Sequence, residues 1–243
     1  MPVSTLTFKK KIHAKLSDII TYNDWCESID NNPDNTIHQN QKEAAKKMVQ
    51  MALKENKIRI NLLASPQSGK TGTAKAFIAP LIKKGIKIAV ISGMSILTMK
   101  EQLKKDLDID EVYHNPDLQQ ILKENKNKFD GYIILIDESH YGQNIDGVVD
   151  KLMADIGANS NGEKNNESIH LIISISATPM SEIHPTNKSK TKGIVTLEPG
   201  IGYKSMKMML QNNKIKNPHN LRNIKDCKKF INEQHKEKRL KYH

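Results

Sequence analysis

At 243 residues the chain has room for one large domain, or one domain with an appendage, and two full domains would be tight. Apolar residues make up 37% and aromatics 5%, so a polar periphery must surround the core, and two distant cysteines, Cys26 and Cys227, suggest neither a disulfide framework nor a zinc site. The formal charge of +11 is concentrated in residues 204–243, where 12 Lys or Arg face 3 Asp or Glu, a net of +9; this suits an anionic partner such as nucleic acid, and a Lys-rich coding bias is the bland alternative.

The first 36 residues read as a polar lead-in, helical near residues 9–30. Residues 40–56 place Ala44, Ala45, Met48, Met51, Ala52 and Leu53 on one helical stripe. IRINLLA (58–64) is strand-like, and TAKAFIAPLIKK (73–84) is a helix that Pro80 is expected to kink or shorten. KIAVISG (87–93) is a buried strand, followed by a helix near residues 94–107 and another at 117–125. The strand YIILIDE (132–138), a helix at 146–158 and the strand IHLIISISA (169–177) complete an alternation of helices with β-branched runs. Such alternation predicts an α/β fold with three layers and a mainly parallel central sheet. Residues 159–168 form a polar loop, 181–193 a mobile connection, and VTLEPGIGY (195–203) a short strand with a Gly-rich turn.

Chemistry gathers at the ends of three predicted strands. ASPQSGKT (64–71) lies between a strand and a helix, so its backbone N–H groups can surround phosphate oxygens while Lys70 reaches the β and γ phosphates and Thr71 ligates Mg²⁺. Gly69 permits close backbone approach, and Ser65, Pro66, Gln67, Ser68 and Gly72 complete the cradle. Ala64 stands where the usual GxxxxGK[ST] pattern begins with Gly. LIDESH ends in Asp137, which can hold Mg²⁺, and Glu138, which can deprotonate an attacking water. SATP offers Ser176 and Thr178, hydroxyls able to bond the acidic motif and report the γ-phosphate. Each has a plainer reading: an ordinary turn, an acidic helix cap, a Ser-Thr turn. Their order and placement favour a nucleotide site, in which Lys70 and Asp137 converge from neighbouring strands on one magnesium triphosphate.

With these motifs in place, the chain resembles the first RecA-like domain of superfamily 2 helicases and translocases, of the DEAD/DEAH-like kind. ASPQSGKT is similar to their Walker A motif, DESH to motif II, SAT to motif III, and IHQNQKEAA to the opening motif whose Gln, here Gln41, contacts adenine. His38 and Asn40 replace the Arg and aromatic common there, and a looser motif Ia falls at Ser92, Gly93 and Met94. The resemblance implies an ATP- and Mg²⁺-dependent motor acting on DNA or RNA, with His140 linking nucleotide state to motif III. It covers residues 38 to about 180, and VTLEPGIGYKSM echoes connectors in phage, plasmid and large-DNA-virus helicases. It implies a lead-in at 1–36, a RecA-like ATP-binding domain at 37–203 and a basic connector at 204–243. A second RecA-like domain would supply the arginine finger, so slow turnover is expected of this chain alone.

Two other classes fit fewer of the motifs: a non-catalytic nucleic-acid-binding module retaining the motor fold, and a kinase-type enzyme for a small acceptor. No apolar run approaches the roughly 20 residues that span a bilayer, and MPVSTLTFKKK lacks a secretion signal. A soluble intracellular protein, in cytoplasm or nucleus, with no membrane partner, is the expectation.

Overall fold

The structure is a computed structural model, and it describes residues 15–93, 96–124, 128–137, 151–152, 171–177, 192–200 and 203. The chain divides into two compact units, Met1–Gly200 and Ile201–His243; the fold described below belongs to the first. The helix predicted at 146–158, apart from residues 151–152, the helices predicted in the basic tail, the loop at 159–168 and most of the connection at 181–193 lie outside the described residues.

Two short helices, α1 (Leu16–Ile19) and α2 (Tyr22–Asp30), precede α3 (Gln39–Leu53). The strand β1 (Arg59–Ala64) leads into α4 (Lys70–Lys83), then β2 (Lys87–Ser92), α5 (Leu97–Leu107), β3 (Val112–Tyr113) and α6 (Asn115–Glu124). β4 (Tyr132–Asp137), β5 (Leu171–Ser176) and β6 (Lys192–Leu197) complete the sheet. Its order is β3-β2-β4-β5-β1-β6, and every pairing is parallel. The α/β class with a parallel sheet, expected from the β-branched runs, is what forms.

Alternation along each strand sends side chains to two cores. Ile60, Leu62, Val90, Leu135, Ile173 and Val195 point to the face covered by α3, α4 and α5, where Met48, Phe77 and Leu103 are also buried. Ala89, Ile91, Ile134, Ile136 and Ile172 point to the other face, packed with Leu118 of α6, Phe129 and Leu152. Burial on both faces is why these strands read as continuous apolar runs.

Residues 15–36 do not stand apart from this domain. Trp25 and Ile29 of α2 are fully buried in the first core, Trp25 Nε1 donates to Phe77 O at 2.9 Å, and the two rings lie 4.6 Å apart. Leu16, Ile20 and Ile37 are buried in the same core, and Trp25 contributes the largest side chain of the set.

Helix α4 runs through Pro80 without stopping, since the lost N–H removes one hydrogen bond and the buried ring fills core space. It stops at KKGIK: Gly85 takes φ 77°, Gly85 N–H donates to Ile82 O at 2.9 Å and Ile86 N–H to Leu81 O at 3.0 Å. That pair of bonds is a Schellman cap, and the buried Ile86 and Leu81 supply its apolar contact. At the far edge, Lys100 of α5 pairs with Asp117 of α6 at 2.7 Å, and the same carboxylate accepts His114 N–H at 3.0 Å.

Candidate nucleotide site

Every strand of a parallel sheet ends on the same edge, and the register fixes which residues meet there. Ser92 is opposite Asp137, Asp137 opposite Ile175, and Ser176 opposite Leu63, the residue before Ala64. The ends of β1, β5, β4 and β2 therefore form one row, prolonged by Gly93 N–H donating to Asp137 O at 2.9 Å. The strands that carry Lys70 and Asp137 are not neighbours, as the sequence reading had them: β5 lies between. Two strand spacings of about 4.8 Å put about 10 Å between the ends of β1 and β4. The hydroxyl-bearing end of β5, at Ser176, occupies the gap.

The loop after β1 folds on itself. Ser68 donates through both Oγ and N–H to Ser65 O, at 2.7 and 3.2 Å, while Ser65, Pro66 and Gln67 are exposed at the tip. Gln67 and Gly69 take positive φ, 58° and 96°, and the chain enters α4 at Lys70 with Gly69 as its N-cap. By helix geometry the first-turn N–H groups have no acceptor within α4, and the helix dipole adds positive potential at the loop mouth. Lys70, Thr71 and Gly72 form that first turn, each half-buried.

Gln41, in the first turn of α3, lies against this loop. Its Oε1 accepts His38 N–H at 2.7 Å, its Nε2 donates to Gly69 O at 3.0 Å, and the residue is 4% exposed. A Cβ on Gly69 would land on Gln41 Nε2, and one on Gly72 would meet Gln41 Oε1 at 2.7 Å. Glycine at both positions makes room for the glutamine.

Beside the loop opens a cleft of about 320 Å³ lined by Thr36, Gln41, Thr71, Gly72, Lys75, Lys105 and Asp106. Lys75, one turn beyond Thr71, pairs with Asp34 at 2.8 Å. The Lys75 ammonium, with the hydroxyl and N–H of Thr36, holds the Asp34 carboxyl well below the usual carboxylate range. Sequence reasoning missed Asp34, Thr36, Lys75, Lys105 and Asp106. The Asn-Pro-Asp-Asn-Thr run at 32–36 signals a turn, which is what Asn32 and Asp34 form by bonding backbone N–H groups two residues on.

The structure thus brings Gln41, Ser65–Thr71, Gly72, Asp137 and the fully buried Ser176 to one sheet edge. Glu138, His140 and Thr178 lie outside the described residues, as does Met94 of the looser motif. Among the described residues no group of three or more His, Cys, Asp or Glu gathers as a metal cage. The oxygens present, the Thr71 hydroxyl and the Asp137 carboxylate, are hard donors of the few-ligand kind that suits Mg²⁺ shared with phosphates. Among the described residues no helix is long and apolar enough to cross a membrane.

Strand, loop, helix and sheet order define an α/β fold with a six-stranded parallel sheet, layered between helices, and a glycine-containing loop that leads from β1 into α4. No protein-family profile matches the sequence, and no curated protein matches it. Among solved structures it is similar to Cdc6p from Pyrobaculum aerophilum, at TM-score 0.41 and 12% identity over 71% of this chain and 49% of that one. It is also similar to Pif1 helicase from Candida albicans (TM-score 0.36, 16% identity, 67% and 40% covered) and to PCH-2 from C. elegans (0.33, 15%, 71% and 46%). The chain spans about half the length of these structures, or less.

Proposed function

We propose that the chain is the ATP-binding domain of a nucleic-acid motor of the superfamily 2 type, hydrolysing Mg²⁺–ATP and coupling hydrolysis to DNA or RNA. The observation that carries this reading is the row of strand ends, with the Gly69–Lys70 helix start, Ser176 and Asp137 on one edge of the sheet. Lys70 and the first-turn amides of α4 hold the phosphates, Thr71 and Asp137 hold Mg²⁺, and Glu138 activates the attacking water. Mg²⁺ supplies charge neutralisation on the phosphoryl oxygens. Ser176, between the loop and Asp137, couples with Thr178 and His140 to pass the nucleotide state to the nucleic-acid side. The basic segment 204–243 supplies phosphate contacts, and a second RecA-like domain closes over the nucleotide.

The test measures phosphate release from Mg²⁺–ATP with and without single-stranded DNA or RNA at low salt. The reading predicts Mg²⁺-dependent release that nucleic acid stimulates and that Lys70→Ala removes, while nucleic-acid affinity persists and falls with added salt. Nucleic-acid binding indifferent to nucleotide, with no ATP affinity, would instead favour a non-catalytic module.

A further inference from the structure

We infer that this site takes nucleoside triphosphates by their triphosphate and does not read the base, because Gln41, expected to contact adenine, is a positioning residue for the phosphate loop. The inference rests on the nucleotide-binding reading above and narrows what that site recognises.

To read adenine, a glutamine amide must offer a donor and an acceptor together to the base edge. In this chain each end of that amide already holds one bond within the protein, and burial leaves its second N–H and second lone pair little access to a base. Oε1 caps α3 through His38 N–H at 2.7 Å, and Nε2 ties down Gly69 O at 3.0 Å. With only 4% exposure, the side chain is wedged where Gly69 and Gly72 lack Cβ atoms. Turning it out towards a base would break two hydrogen bonds and leave the His38 N–H, the Gly69 carbonyl and a hole behind.

The cleft beside the loop is lined by short or charged polar groups. The described residues lining it include no aromatic ring on which a purine could stack, only hydroxyl, ammonium, carboxylate, amide and glycine groups. Of these, Thr36 and Lys75 are turned to Asp34, and Asp106 accepts Gln102 Nε2 at 2.6 Å. A site built to hydrogen-bond one base rejects the others strongly, by about 10⁴-fold in favourable cases, because its own polar groups go unpaired. Here Thr36, Gln41, Lys75 and Asp106 are paired within the protein, so exchanging one base for another strands none of these four.

What Gln41 does fix is the loop. Its bond to Gly69 O holds the peptide that opens α4, and so the direction of the N–H groups that meet the phosphates. A change at Gln41 should therefore weaken every triphosphate by the same factor.

The experiment measures, on the full chain, dissociation constants for the Mg²⁺ complexes of ATP, GTP, CTP, UTP and inorganic tripolyphosphate, by competition against a ribose-labelled fluorescent ATP. The inference predicts four nucleotides within about tenfold of one another; an ATP preference larger than that overturns it. The second arm is Gln41→Glu, which keeps the acceptor for His38 N–H and so the start of α3, but loses the donor to Gly69 O. Affinity for tripolyphosphate and all four nucleotides should fall together, measured below the variant's own unfolding midpoint, which the buried carboxylate facing Gly69 O lowers. A loss confined to ATP shows that the amide reads the base and overturns the inference, and so does tripolyphosphate affinity unchanged by the substitution. Binding of none of the five ligands would sink the nucleotide-site reading itself, and this inference with it.

Discussion

Asn61 sits in the middle of β1, between Ser174 of β5 and Ile194 of β6 in register, with no exposure. Neither end of its amide has a hydrogen-bond partner among the described residues. A buried amide that has exchanged water for nothing costs about 1–3 kcal/mol. Asn61→Leu keeps the shape and removes the penalty, so it should raise the stability measured by urea unfolding by about 1–2 kcal/mol. A drop in stability would mean the amide is satisfied in solution. Glycine at 69 and 72 is the opposite case, where the absence of a side chain is what the neighbouring Gln41 requires. In the sequence, Asn61 is one polar letter in an apolar run, and nothing local shows that Gln41 bonds Gly69 O. Both environments come from tertiary contacts 28 or more residues away, beyond the reach of local pattern.

At the scale of elements, the two-residue strand β3 closes the sheet beside β2. It is held there by a carboxylate and two phenols: Glu111 accepts Tyr113 Oη at 2.6 Å and Tyr132 Oη at 3.1 Å. Burial first, and then the Glu111 carboxylate, pushes the Tyr132 phenol up to about 12 and raises Tyr113 as well. A phenol pKa raised by folding favours the neutral form, so this contribution to stability is full below the unfolded value of about 10. It is lost as pH rises through the folded values. Glu111→Gln removes the charge and leaves the burial, so both phenols should titrate at lower pH, still above the unfolded value, when phenolate absorbance is followed against pH. Titration identical to wild type would rule out the carboxylate as a cause. No sequence signal marks β3, because two residues carry no periodicity. β1, β2, β4 and β5 were legible as runs buried on both faces, and α4 was legible apart from its start, which lies inside the phosphate loop itself.

Strand order belongs to the whole molecule. Parallel strands are joined by long crossovers, so consecutive runs along the chain need not be neighbours in the sheet, and the insertion of β5 between β1 and β4 could not be read from spacing. What the sequence did carry was the edge: a motif at the end of a parallel strand has to fall on the same side as every other such motif. That is why the loop, Asp137 and Ser176 share one border, although the adjacency expected of Lys70 and Asp137 is replaced by a gap one strand wide. The lead-in was legible as helical, but its docking onto the core was not, for the same reason as the strand order. Tyr22, Trp25, Cys26 and Ile29 recur at helical spacing, but nothing local says that this stripe packs against α3 and α4.

The central claim is that this edge holds a single magnesium triphosphate between Lys70 and Asp137. Calorimetric titration of ATP with and without Mg²⁺ tests it most directly, using wild type, Lys70→Ala and Asp137→Asn. The account predicts that Mg²⁺ tightens wild-type binding by about tenfold or more, equivalent to about 1.4 kcal/mol. Asp137→Asn should abolish that gain while leaving metal-free affinity unchanged, and Lys70→Ala should weaken binding with or without the metal. A Mg²⁺ gain that survives Asp137→Asn intact, or ATP affinity indifferent to Lys70→Ala, would contradict it.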